Sequence, residues 1–281
     1  MSNEACCLCG SVKWAVSSEP LQAFNCHCSI CRKAHGSAFG TYWFVPLDQF
    51  RWLGDTVSIV SYRSSPQIQR SFCGTCGSVL PQPVESINMC AVPGGPHDDG
   101  KRPQAEIFTR HKAPWFDLTS DLPRFDEYPP DSGMTPVPRE ALPAAPEGVV
   151  RGSCNCGEIR FHVTETLNPV HNCHCSRCRR GRAAAHASNG FATVAAVRFV
   201  QGEEQLKSYK MPDAQYFTQV FCNICGSKMP RMDPTRDLAV VPLSVLDDDP
   251  GVKPQRHIFV RDKAAWHVIS DDLPQFSAAP Q

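Results

Sequence analysis

Where the chain has a regular pattern, apolar and polar or small residues alternate. Lys13 and Ala15 separate Val12, Trp14 and Val16, and Arg160 and His162 separate Ile159, Phe161 and Val163. A period of two predicts a β-strand with one buried face. Val57 and Ile59, and the runs "MCAVP" and "LAVVP", read the same way. Prolines and glycines break nearly every stretch, and no long run carries a helical period. The pattern predicts a mainly β protein of short strands in small antiparallel sheets, with its cysteines on turns.

The pattern also occurs twice. With a shift near 147 residues, "CLCGSVKWAV" (7–16) meets "CNCGEIRFHV" (154–163), and "FNCHCSICRK" meets "HNCHCSRCRR". "FCGTCGSVLP" (72–81) meets "FCNICGSKMP" (221–230), and "EIFTRHKAPWFDLTSDLPRF" (106–125) meets "HIFVRDKAAWHVISDDLPQF" (257–276). A unit this long is a duplicated domain rather than a solenoid repeat. Between the copies lies "PPDSGMTPVPREALPAAPE", with six prolines. Such a segment is expected to be extended and semi-rigid, outside either core. Domain 1 is therefore placed at 1–128, the linker at 129–147 and domain 2 at 148–281. Duplication suggests that the two units pack as a pseudo-dimer.

Charge narrows the range of partners. Lys and Arg total 28 and so do Asp and Glu, so the chain as a whole offers no basic face for nucleic acid. No apolar run is long enough to span a membrane, and "MSNEACCLCGSVKWAV" lacks the basic and apolar regions of a signal peptide. A reducing, cytoplasmic setting is the expectation, in which sixteen cysteines hold metal rather than form disulfides.

Each unit repeats seven of those cysteines: Cys7, Cys9, Cys26, Cys28, Cys31, Cys73 and Cys76, then Cys154, Cys156, Cys173, Cys175, Cys178, Cys222 and Cys225. Cys6 and Cys90 face Ser153 and Ala239 in the other copy and read as a free thiol and a buried apolar residue. Seven cannot pair completely into disulfides, and it divides into four plus three. Zinc takes four thiolates in a closed structural site, and three protein ligands with an exchangeable position in a catalytic one. Spacing alone does not decide which pairs share a metal. C-x-C with the distant C-x-x-C would make a four-sulfur site, leaving C-H-C-x-x-C as a three-sulfur site with an open corner. His27 or His174 could fill that corner, although in an extended C-H-C the middle side chain points away from both sulfurs.

C-x-C-G, then C-H-C-x-x-C-R, then F-C-x-x-C-G and a late "HIF…K…W…LP.F" resemble the glutathione-dependent formaldehyde-activating family, which includes the centromere protein V-like domains. The resemblance covers both units almost end to end. It implies an Mss4-like, mainly antiparallel β fold and up to four Zn2+ ions per chain. Structural zinc would fall on Cys7, Cys9, Cys73, Cys76 and on Cys154, Cys156, Cys222, Cys225. Labile catalytic zinc would fall on Cys26, Cys28, Cys31 and on Cys173, Cys175, Cys178. The implied reaction condenses formaldehyde with glutathione to S-hydroxymethylglutathione, a carbon–sulfur lyase reaction run in reverse. The second unit departs beside its triad, with Ala183 for Gly36, His186 for Phe39 and Gln219 for Arg70.

Zinc on three thiolates carries a local charge of about −1, which makes it a weak activator of water. A substrate thiol with a free pKa of about 8.5 suits such a site better, since metal binding deprotonates it. The small-molecule partner is then a thiol adduct, with glutathione as co-substrate. Arg32 and Arg179, directly after each triad, are candidates to grip glutathione's carboxylates. Lys33, Arg177, Arg180 and Arg182 are candidates for the same grip or for offsetting the negative cluster. His35 and His186 read as surface histidines or proton shuttles. Two other readings stay open: an enzyme of specialised metabolism using the same site on another substrate, and a non-catalytic zinc scaffold that binds protein.

Overall fold

The alternating run around Trp14 becomes strand Lys13–Val16, the centre of a three-stranded antiparallel sheet between Asn3–Cys6 and Phe50–Leu53. The computed structural model of the chain describes residues 3–130, 132–137 and 143–280. Within the linker, residues 131 and 138–142 lie outside that description. Val12, Trp14 and Val16 are buried as the period requires, and the small Ala15 is buried as well. The second unit repeats the sheet, with Arg160–Val163 between Val150–Ser153 and Val197–Gln201.

A larger sheet carries the candidate site. In the first unit Gly40–Pro46 pairs antiparallel with Gln22–Cys26 and with Met89–Pro93, and Gln82–Val84 closes one edge. The other edge departs from the antiparallel expectation, since Ala105–Ile107 runs parallel to Gln22–Cys26 and to Arg124–Phe125. The second unit likewise sets His257–Ile258 parallel to Val170–Cys173. A hairpin of Ile59–Arg63 and Gln69–Cys73 completes the first unit, and Leu206–Lys210 with Thr218–Cys222 is its counterpart. Ile59 starts its strand as expected, but Val57 lies outside it and is exposed.

The turn expected after each C-H-C is instead a short helix, Ser29–His35 or Ser176–Arg182. Two turns are too few to print a helical period on the sequence. Cys28 and Cys175 cap these helices, each sulfur accepting the backbone N–H of the cysteine three residues on, at 3.4 Å. Gly36 ends the first helix at φ +66° and Ala183 the second at φ +53°. The exchange therefore keeps the left-handed turn, at the backbone cost that a Cβ imposes there.

The two units meet through reciprocal contacts. Gly77 and Gly226 follow the two C-x-x-C turns at φ +73° and +72°, where L side chains are strained. A Cβ on Gly77 would come 2.5 Å from the Phe221 ring, and one on Gly226 2.6 Å from the Phe72 ring. Both positions thus require glycine for conformation and for space. The Phe72 and Phe221 rings meet edge to face, 6.2 Å apart. Lys33 crosses to Ser153 and Asp247 at 2.8 and 2.5 Å, and buried Lys228 donates to the carbonyls of Gly77 and Gly226. A single buried cluster holds Trp14, Trp43 and Trp115 of one unit and Phe161 and Trp266 of the other. Among the described residues, no helix is long and apolar enough to cross a membrane.

Candidate metal centres and active site

Strand ends bring the outer cysteines together. Cys7 and Cys9 lie on the turn before Lys13–Val16, while Cys73 ends strand Gln69–Cys73 and Cys76 lies on the turn after it. Their four sulfurs lie within 4.8 Å of one another, as do those of Cys154, Cys156, Cys222 and Cys225. Near neighbours are 3.5 and 3.7 Å apart in the first set and 3.3 and 3.8 Å in the second. A disulfide would need about 2.05 Å. Four thiolates around tetrahedral zinc, with bonds of about 2.3 Å, sit about 3.8 Å apart. The backbone N–H groups of Val12 and Ile159 point at Cys7 and Cys154 at 3.4 and 3.3 Å, a second layer that suits metal-bound thiolates. Both sets fit a closed zinc site.

The inner cysteines form two triads, Cys26, Cys28, Cys31 and Cys173, Cys175, Cys178, each with its sulfurs within 4.8 Å. The strand supplies the first sulfur, the helix cap the second and the first helical turn the third. His27 and His174 do not join them. His27 Nε2 lies 2.7 Å from Glu106 Oε2 on the neighbouring strand. Asp271 accepts from His257 Nε2 at 3.0 Å, which leaves His257 Nδ1 to accept from His174 Nε2 at 2.8 Å. The middle residue of each C-H-C turns to the opposite side of the strand, as the alternation of side chains dictates. Among the described residues no fourth protein donor joins the three sulfurs, which fits an open zinc site.

The first triad lies at the base of a cavity of about 380 Å3. Arg70, reaching in from the hairpin, donates from Nη2 to Cys31 Sγ at 3.4 Å, from Nη1 to Tyr42 Oη at 3.0 Å and from Nε to Ser64 Oγ at 3.2 Å. Burial works against its charge, but the sulfurs of Cys31, the oxygen of Tyr42 and the sulfurs of Cys28 and Cys26 outweigh burial and hold its pKa well above the ordinary value. Tyr42 Oη also accepts from Gln82 Nε2 at 3.2 Å. With both lone pairs occupied, its hydroxyl proton is left for His35 Nε2, 2.8 Å away. His35 Nδ1 then donates to the carbonyl of Arg182 across the unit boundary at 2.9 Å. Burial lowers the pKa of His35 to about 3, so the ring is neutral.

Several expectations change here. His35 and His186 are buried rather than on the surface. Arg32 donates from Nε to the carbonyl of His27, and Arg179 donates to the carbonyls of Asp262, Gly95 and His97 and to Asp98. Both are buried and neither lines the cavity, because the face of each short helix that carries them packs inward. The linker, expected to stand apart from both cores, supplies Pro129, Pro130 and Met134 to the cavity wall.

The second triad sits in different surroundings. Gln219, where the first unit has Arg70, reaches back to the carbonyl of Cys76 at 2.6 Å. Arg182, where the first unit has His35, is half-buried, with its Nη1 shielded from solvent. Burial lowers its pKa to about 10, and the sulfurs of Cys178 and Cys173 oppose that shift. A guanidinium thus accompanies each triad, supplied from the hairpin in one unit and from the helix in the other. His186 and His267 replace Phe39 and Phe116 and pack around His174, with ring centroids 5.3 and 5.5 Å from it. Burial holds both below the usual histidine range, His267 at about 3. A second cavity of about 330 Å3, lined by Glu106, His186, His257, His267 and Asp271, opens between the units, and the second triad lines neither cavity.

Tyr42, Gln82, Tyr128 and Met134 line the first cavity, and motif reading missed all four. Tyr42 sits in an apolar strand and looks like core. Comparison of the copies carried a signal, since Tyr42 faces Asn189 and Val84 faces Asp233 where a shared core would stay apolar.

Fold and site together define a duplicated β protein with four cysteine sets arranged to hold metal. The chain belongs to the glutathione-dependent formaldehyde-activating enzyme family, whose model matches residues 2–111 and 149–262. A Halomonas elongata protein provisionally named as a glutathione-dependent formaldehyde-activating enzyme is 28% identical over 131 residues, covering 43% of this chain and 81% of that protein. A crystal structure of a Rhodobacter sphaeroides protein is 28% identical and covers 44% of this chain and 98% of its own, with a TM-score of 0.30.

Proposed function

We propose that the protein is a zinc-dependent enzyme of the carbon–sulfur lyase type, acting at the first triad on thiol adducts of formaldehyde or another small electrophile. Glutathione, from the family name, is the first co-substrate to test. The observation that carries this reading is the contrast between closed and open sets: the four-sulfur sets are complete, while Cys26, Cys28 and Cys31 face a cavity beside Arg70 and Tyr42. In this reading Cys7, Cys9, Cys73, Cys76 and Cys154, Cys156, Cys222, Cys225 hold structural zinc. Cys26, Cys28, Cys31 and Cys173, Cys175, Cys178 hold the exchangeable ions.

Zinc held by the triad would favour the thiolate form of a substrate thiol. Three thiolates and a divalent ion sum to about −1, and the guanidinium of Arg70 brings the centre to about zero before substrate arrives. Adduct formation makes one sulfur–carbon bond, turns the carbonyl π pair into a C–O–H group and moves the thiol proton to that oxygen. Nothing is oxidised or reduced. Tyr42 Oη borders the cavity with its lone pairs taken by Arg70 and Gln82 and its proton held by neutral His35, so it fixes the guanidinium beside the sulfurs, while the thiol proton reaches the adduct oxygen through solvent.

The reciprocal contacts support reading domains 1–128 and 148–281 as a fused pseudo-dimer. Free thiols throughout suit a reducing compartment, the cytoplasm in this proposal. NMR exchange between formaldehyde and its hemithioacetal, with glutathione or mercaptoethanol as the thiol, tests the assignment. The wild type is expected to accelerate exchange, Cys28→Ala to abolish the acceleration and Cys175→Ala to retain most of it. Acceleration that survives Cys28→Ala would remove the first triad from the reaction.

A further inference from the structure

We propose that the first site prefers adducts of apolar, arylalkyl thiols to those of glutathione. The proposal rests on reading that site as a thiol-adduct centre, and it names the side group that the adduct carries. Above the sulfurs the wall is aromatic and aliphatic: Phe24 and Phe44 lie 5.8 Å apart, and Phe108 meets Tyr128 edge to face at 4.6 Å. Ile87 and Met134 extend it. Among the described residues lining the cavity, Arg70 supplies the cationic side chain, and its Nε, Nη1 and Nη2 already donate to Ser64, Tyr42 and Cys31. Glutathione brings two carboxylates and an ammonium group. Two of Arg70's five N–H donors remain for the carboxylates, so against this wall the three charged groups would lose more water than they regain in partners, which disfavours binding. A phenyl or branched alkyl group next to the thiol would gain by the same burial.

The second unit shows that the scaffold does not impose this apolar wall. Strand Gln82–Val84 pairs with Met89–Pro93 in the same register as Arg231–Asp233 with Leu238–Pro242, Gln82 opposite Ala91 and Arg231 opposite Val240. There the counterparts of Gln82, Val84 and Ile87 are Arg231, Asp233 and Arg236, joined by ion pairs of 3.2 and 2.6 Å. His171 stands where the first unit has Phe24. One backbone carries a charged wall in one copy and an apolar wall in the other, so the difference lies in the side chains and acts on what each wall meets.

Titration calorimetry of the zinc-loaded full chain, in a Cys175→Ala background that removes the second open set, compares benzyl mercaptan with glutathione. Benzyl mercaptan is expected to bind about tenfold tighter or better, the gain from burying one aromatic group. Ile87→Arg and Phe24→His each copy a residue the second unit accepts at that position. Each is expected to shrink the ratio by about fivefold, with an unchanged circular dichroism spectrum. Glutathione binding as tightly as benzyl mercaptan, or a ratio that neither variant moves, overturns the proposal. Formaldehyde exchange measured on the same samples separates the two readings. Tighter benzyl mercaptan binding without accelerated exchange for any thiol leaves the apolar pocket standing and removes the catalytic reading. Accelerated exchange that depends on Cys28 but favours glutathione does the reverse.

Discussion

Replacing Cys76 with serine is expected to unfold the first unit. The sulfur is fully buried and belongs to the set that ties the turn at Cys7 and Cys9 to a hairpin more than sixty residues away. Structural zinc in small domains contributes on the order of 10 kcal/mol of folding free energy. The whole net stability of a domain is roughly 5–15 kcal/mol, so weakening that site removes most of it. The damage is expected to spread, because the Cys73–Cys76 turn carries Gly77 onto Phe221 and its carbonyl to Lys228. Thermal melting and amide hydrogen exchange read the result. Protection lost across residues 3–125 and a lower melting temperature are expected. A melting curve matching the wild type's would show that the four-sulfur set does not hold the unit together.

Arg70→Gln is expected to lower first-site exchange activity by about a hundredfold while leaving the fold intact. Removing one positioned donor from a preorganised site costs about 10²–10³ in rate, and here the lost group also balances charge. The second unit already holds glutamine at this position, so the side chain fits the hairpin. Arg70→Lys keeps the charge but cannot span Cys31, Tyr42 and Ser64 at once. It is expected to recover about tenfold of the loss, which separates charge from geometry. Steady-state exchange rates measured on folded variants decide between these outcomes. Activity in Arg70→Gln close to the wild type's would take Arg70 out of the site.

What the sequence made legible has a common physical origin. Ligand spacing is local chemistry, so the seven cysteines of each unit could be divided into four and three before any contact was known. Alternation is equally local, and Trp14 and Phe161 lie in their strands with their rings buried. What stayed hidden depends on how distant segments meet. A two-turn helix leaves no period, so Arg32 and Arg179 looked available when they face inward. The proline-rich segment gives no hint of its destination, yet Pro130 and Met134 close a cavity whose other wall begins at Leu21. The parallel edge at Ala105–Ile107 follows from a long return of the chain, which strand pattern alone does not encode. Arg182 illustrates the same limit. One copy loses its guanidinium at the hairpin and regains one from the helix, and the exchange is visible only once both positions flank the same sulfurs.

Each unit pairs a closed four-sulfur set with an open three-sulfur set, and zinc stoichiometry tests that division most directly. Protein prepared under reducing conditions, without chelator, is expected to hold about four zinc ions per chain, one for each cysteine set. Mild chelation is expected to release about two and leave two until the protein unfolds. The double variant Cys28→Ser, Cys175→Ser is expected to retain only the resistant pair. No more than two ions in the wild type, or ions that all resist chelation equally, would contradict the division.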